Sequence, residues 1–416
     1  MTRPVVPSAN DEPRSSRANG QVVNGRLSSL DGLRGVAALV VVGFHLSQLS
    51  PFVAQYTIDK GPAPGAFTPL WWAVATPLRL FTAGDEAVFV FFVLSGLVLT
   101  LPVLRQRNFD WLRFLSARAL RLFLPVAASV LLATAITYMW TRSPDPTLSS
   151  WLSEPYNALS ILPGQLLLNM DLVFSDMTVN GPTWTIRWEM LFSLLLPVIL
   201  GLGIAVRSRW QVGLVLIASV IVVGLQFGVS SLVFLPIFAI GVILALRLRN
   251  ISSAYLACQI ARPRLTSVLV VFSVAAALAL LATTAVIRPY VDPSGTIAIT
   301  ARVATIFGAA LLVALIAVVW PARGCLSHSV ALWLGKISFS LYLVHQPILA
   351  TFGFAIGGAN WPLAAALGSV ASIGTAYVFW RFVENPSHRL ARTFGSWVAD
   401  STTKLTAKYG GGATSH

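Results

Sequence analysis

Residues 30–49 read LDGLRGVAALVVVGFHLSQL, an apolar run with Arg34 near one end and His45 near the other. Roughly twenty residues rising about 1.5 Å each span the hydrocarbon of a bilayer, and a helix satisfies its backbone polar groups internally. Arg34 and His45 are eleven residues apart. At about 100° per residue this is three turns plus roughly 20°, so both side chains leave one face, about 16 Å apart along the axis. A guanidinium in a membrane span is costly and normally points to a partner, a cavity or a substrate path. Two plainer readings compete: Arg34 snorkels to the interface with Asp31, one turn earlier, as its ion-pair partner, and His45 is a hydrogen-bonded packing residue.

Similar apolar runs recur outward from this one, near 86–104, 119–140, 183–203, 211–227, 231–246, 265–287, 299–320, 337–355 and 360–381. With 416 residues, 56% hydrophobic and 11% charged, and a mean hydropathy of +0.75, the expectation is an all-α polytopic membrane protein of about ten transmembrane helices. The net charge of +14 is distributed one-sidedly, which argues for topology and against a nucleic-acid partner. Lys60, Arg79, Arg142 and Arg288 fall in loops on one side, whereas most other basic residues outside the spans fall on the opposite side. The positive-inside rule then puts both termini in the cytoplasm and the chain in the plasma (inner) membrane. Residues 1–26 read as a disordered cytoplasmic arm, 27–390 as the membrane domain and 391–416 as a cytoplasmic tail. Cys258 and Cys325 fall on the cytoplasmic side, which argues against a disulfide.

Several polar residues interrupt the spans. Arg118 and Arg121 stand three apart at the expected inner end of the third span, on one helix face, which suits polyanion recognition; the alternative is a topology marker. Glu189 enters the outer half of the fourth span, at a depth comparable to His45, and reads as a site residue or a structural ion pair. Arg187, two positions away, cannot pair with it along the helix. Ser95 and Gly96 suit close helix packing. Arg302 reads as a snorkelling residue, and the fifth to eighth spans read as scaffold. The run LGKISFSLYLVHQPIL places Ser338, Ser340, Tyr342 and His345 within the ninth span, with His345 either a second working histidine or a packing hydrogen bonder. The outer segment 141–180 is long enough to serve as a lid or acceptor surface.

In order, LDGLRGVAALVVVGFH, FFVLSGLVLT, the Arg118–Arg121 pair, NGPTWTIRWE and ISFSLYLVHQPI resemble the acyltransferase 3 family of membrane-bound O-acyltransferases, over about Leu30 to Arg389. The resemblance implies ten membrane helices and transfer of an acyl group, usually acetyl from acetyl-CoA, to a hydroxyl of a carbohydrate, glycolipid or related acceptor. The family's R-x10-H feature matches Arg34 and His45, its RxxR matches Arg118 and Arg121, and its Trp-x4-Glu matches Trp184 and Glu189. This chain has Phe89 where many members carry an acid, with Asp85 and Glu86 one turn earlier, and Met190 where many have a second acid. Its short segment after the last span leaves no room for the soluble esterase-like domain of some members.

Acyl transfer to an alcohol needs a base for the hydroxyl proton and stabilisation of an oxyanion. The expected catalytic residues are therefore His45 as base, or as acyl carrier, and Glu189 holding its imidazole. Arg34, Arg118 and Arg121 are expected to hold the phosphates of acyl-CoA, with Asp31, Trp184, Ser338, Tyr342 and His345 in support. A proton-coupled transporter built on the same buried charges is the alternative, although no inverted repeat is evident. No phosphate loop, zinc-hydrolase helix or nucleophile elbow occurs, and no metal is expected.

Overall fold

The computed structural model describes residues 14–140, 142–143, 145–157, 160–174, 177–319 and 324–410. Among the described residues it is helical, and ten stretches are long and apolar enough to cross a membrane. They are built on α1 (Arg14–Gln48), α2 (Gly84–Arg105), α3 (Trp111–Met139), α4 (Thr183–Ala205), α5 (Trp210–Phe227), α6 (Ser230–Ala261), α7 (Pro263–Ile287), α8 (Thr296–Val318), α9 (Ser329–Ile356) and α10 (Trp361–Phe379). A π-helical turn at Trp380–Glu384 carries α10 into α11, Asn385–Gly410.

Three ends differ from what composition suggests. The Asp110 side chain accepts the Arg113 N–H at 2.9 Å and starts α3 at Trp111, eight residues before the expected span. Helix α1 begins at Arg14, inside the stretch read as a disordered arm; residues 1–13 lie outside the described residues. The polar tail continues as α11 against α3, with Gly395 beside the Arg113 carbonyl. Both extensions grow from an existing helix, so they avoid the unfavourable nucleation that a polar segment alone would face. Residues 411–416 lie outside the described residues.

Lipid tails are as apolar as leucine, so helices associate here through close packing at small residues. Helices α1 and α9 form one of the most extensive pairs. They run parallel and in register: a Cβ on Gly35 would overlap the backbone of Gly335, and ten residues further on His45 meets His345. A second crossing joins α2 to α6, where a Cβ on Gly96 would overlap the Phe238 carbonyl and one on Gly241 the Val93 carbonyl. Phe238 stacks between Phe92 and Phe192 there, with ring centroids 4.5 and 4.6 Å away. One apolar cluster lies mainly on α2, α4, α6 and α8, and another on α3, α9 and α10, with α1 in both. Arg34, His45, Glu189, Ser338, Tyr342 and His345 lie where these clusters meet.

Candidate functional site

His45 and His345 face each other across the α1–α9 seam. The His345 Nδ1 lies 2.9 Å from the Leu341 carbonyl. A carbonyl only accepts, so in the neutral ring Nδ1 carries the proton and Nε2 is a lone pair. His45 Nδ1 lies 3.0 Å from that lone pair and 3.1 Å from the Val41 carbonyl. With two acceptors beside it, His45 Nδ1 must be the protonated nitrogen, which leaves Nε2 as the basic one. His345 is fully buried, and His45 is partly exposed on the wall of a cavity of about 220 Å³.

This chamber is also lined by Asp85, Trp184, Tyr342 and Gln346. Gln346, next to His345, is 2% exposed, and its amide nitrogen has no hydrogen-bond partner. An orphan donor on a cavity wall beside a basic imidazole is a ready ligand for an oxygen atom. Sequence reasoning missed Gln346, although it lies within the quoted ninth run. The 141–180 segment contributes the roof: Trp151 is buried 5.7 Å from the His45 ring centroid, Met177 lines the chamber, and the Ser149 hydroxyl donates to the Gln48 carbonyl. Positions 141, 144, 158–159 and 175–176 of that segment lie outside the described residues.

A neck of about 40 Å³ continues along the seam, lined by Arg34, Glu189, Thr185, Ser338 and Tyr342. Val88 and Tyr342 line both the neck and the chamber, so the pocket at Arg34 and the pocket at His45 abut across these two side chains. The Arg34 guanidinium lies 3.9 Å from Asp31. Tyr342 accepts from the Thr185 hydroxyl at 3.0 Å, and the Ser338 hydroxyl donates to the Gly335 carbonyl at 2.7 Å.

Glu189 is on this path but does not hold the His45 imidazole, a role that falls to His345 and the Val41 carbonyl. Its carboxylate accepts instead from the Ser95 hydroxyl at 2.8 Å and pairs with Arg118 at 3.4 Å. The expected position of Arg118 at the rim is corrected as well. Because α3 starts early, Arg118 stands about two turns inside it, buried, with Nε donating to Ser193 at 2.5 Å. Ser95 therefore bonds to Glu189 rather than serving only as a packing residue. Arg187 lies 5.3 Å from the Trp188 ring centroid.

Below the pair, a cavity of about 650 Å³ opens at the end where α3 begins, and Arg118 and Arg121 both line it. Arg113, His388 and Arg392 join them, against one acid, Asp110. Arg121 Nε donates to His388 Nε2 at 3.1 Å. Buried Glu384 accepts from both the amide and the hydroxyl of Ser340, and its other oxygen lies 3.7 Å from His388. Glu384 and His388 lie beyond the expected end of the last span and so went unread.

At the opposite end the chamber adjoins a vestibule of about 500 Å³, with Phe44 and Asp85 on both walls. Arg302, read as a snorkelling residue, pairs with the exposed Asp85 at 3.2 Å, its guanidinium 5.4 Å from the Phe89 ring centroid. Burial draws the Arg79 guanidinium below its ordinary value and pushes the Tyr56 hydroxyl above its own.

A family model described as an acyltransferase domain matches residues 27–381. No curated protein and no solved structure matches the chain.

Proposed function

The chain belongs to the acyltransferase 3 family and is a multi-pass membrane acyltransferase; from that premise we propose that it moves an acyl group, acetyl in the simplest case, from cytoplasmic acyl-CoA to a hydroxyl of a carbohydrate or glycolipid. The observation that carries this reading is the polar seam. A cationic cavity suits a polyanionic nucleotide, a basic imidazole stands in a separate chamber, and the neck at Arg34 and Glu189 lies between them, its Glu189 paired with Arg118 on the cavity wall.

On this reading the phosphates of the donor rest on Arg121, Arg113 and Arg392, with Arg118 fixed behind them by Glu189 and Ser193. With Arg34 taking the phosphate nearest the pantetheine, the roughly 16 Å from Arg34 to His45 is comparable to an extended pantetheine arm. The thioester then reaches His45 while the nucleotide stays at the cytoplasmic end. The acceptor hydroxyl gives its proton to His45 Nε2 as its oxygen forms a bond to the thioester carbon. The carbonyl oxygen becomes an oxyanion, to which the Gln346 amide donates. Collapse breaks the carbon–sulfur bond, and the proton passes from His45 to the leaving thiolate, giving free CoA and the ester. Attack by His45 itself, forming an acyl-imidazole before the acceptor arrives, uses the same groups. Positive-inside charge supports the plasma membrane with both termini cytoplasmic.

The test is thiol release from acetyl-CoA by the purified protein, with mass spectrometry of envelope glycans and exported metabolites for the acylated product. His45→Ala is expected to lower turnover at least about 10²-fold while the protein inserts and melts normally. Unchanged turnover in that variant removes His45 from the reaction.

A further inference from the structure

The vestibule beside the chamber has walls of unequal charge. Lys60, Arg79, Arg288 and Arg302 line it against Asp85 and Glu86. The 3.2 Å pair between Arg302 and Asp85 cancels one of each, so three cations face one carboxylate. Two of these cations are held in place by the protein's own acceptors and rings. Arg79 donates to the Thr82 hydroxyl at 3.1 Å, its guanidinium 5.3 Å from the Phe44 ring centroid. Arg288 donates one nitrogen to the Tyr56 and Thr57 carbonyls at 3.3 and 3.2 Å, its guanidinium 4.9 Å from the Tyr56 ring. A guanidinium has five N–H donors, so each has donors left for a ligand.

Tyr56 adds an independent sign. The residue lines the same cavity and is 6% exposed, yet its hydroxyl is buried with no hydrogen-bond partner. Buried polar groups are almost always bonded, and an orphan on a cavity wall marks a place where a ligand completes the set. Carboxylate and phosphate oxygens accept from planar guanidinium forks and from a phenol alike. A neutral sugar would satisfy the hydroxyl but leave the surplus positive charge uncompensated.

We propose that this vestibule is the acceptor subsite and that it holds an anionic group of the acceptor, a carboxylate or a phosphate, on Arg79, Arg288 and the Tyr56 hydroxyl. This deepens the acyltransferase reading and rests on it. Because Phe44 and Asp85 wall both cavities, an acceptor anchored there presents a neighbouring hydroxyl to the chamber that holds His45. The same chemistry fits a soluble acidic sugar and the phosphate of a lipid-linked one.

Purified protein in phosphatidylcholine nanodiscs, without acyl-CoA, is titrated with glucuronate, glucose 6-phosphate and glucose, following the melting temperature. At least one anionic sugar is expected to half-saturate the shift at a concentration tenfold or more below that for glucose. Arg79→Gln and Arg288→Gln should each erase that preference, Arg79→Lys should keep part of it, and Arg249→Gln, an exposed site elsewhere, should keep all of it. Repeating the titration in phosphatidylglycerol nanodiscs tells the sources apart. Competition there assigns the anion to lipid-linked acceptors, and none assigns it to soluble ones. Equal response to glucose, no response to any sugar, or wild-type preference in both Gln variants overturns the proposal. With no donor present the assay reads the subsite alone, so a failure of the acyl-transfer chemistry shows separately, in the thiol-release assay.

Discussion

His345 touches neither substrate in the proposed reaction; it fixes which nitrogen of His45 is basic. Truncating it removes the acceptor that keeps the proton on His45 Nδ1, leaving only the longer bond to the Val41 carbonyl. His345→Ala should lower kcat by roughly 10²-fold with KM for the donor unchanged, and should shift the pH profile of kcat. His345→Gln, whose amide oxygen replaces the lost acceptor, should recover most of the rate. Wild-type kcat with an unmoved pH profile in His345→Ala would reduce the residue to packing. Glu189 belongs to a different unit. Deleting its carboxylate strands the buried Arg118 charge, and breaking such a pair costs about 3–5 kcal/mol. Glu189→Ala should therefore melt well below wild type, and replacing both partners by leucine should restore much of the loss. A melting temperature within a degree of wild type for Glu189→Ala would show that the pair is not a structural tie.

The helices decide which of these residues meet. His45 and His345 are brought together by two parallel helices whose register is set at a crossing of glycines about 15 Å away along the axis. Gly335→Leu should wedge α1 from α9 and lower activity more than tenfold at normal expression; retained activity would show that the register is fixed elsewhere. The ten spans and the common face of Arg34 and His45 were legible in the sequence, because hydrophobic length and helical period are local properties. The Arg118–Glu189 pair was not. It depends on where α3 begins, and an amphipathic first turn such as WLRFLSAR reads as interface until its Asp110 cap is seen to start the helix. The Arg302–Asp85 and Ser340–Glu384 contacts join residues far apart in the chain. Nothing in a local pattern predicts which distant helix lies opposite, so these partners became visible only with the fold.

Taken as a whole, the molecule has cavities of about 650 and 500 Å³ toward its two ends and about 40 Å³ at the neck between them. At that size the neck admits a few water molecules at most, so in the proposed reaction a donor arm passes only when Tyr342, Phe91 and Phe339, which line it, swing aside. At rest the constriction has a second effect: it is a seal. On the proposed reading, in which a cytoplasmic donor meets an external acceptor, the enzyme bores through an energised bilayer, and an open bore would short-circuit the proton-motive force. Tyr342→Ala should make proteoliposomes leak protons in the absence of donor, read as faster collapse of an imposed pH gradient, whereas wild type should hold it. Ion-tightness thus becomes a constraint on this catalyst as real as its rate, and it falls on the aromatic rings of Tyr342, Phe91 and Phe339.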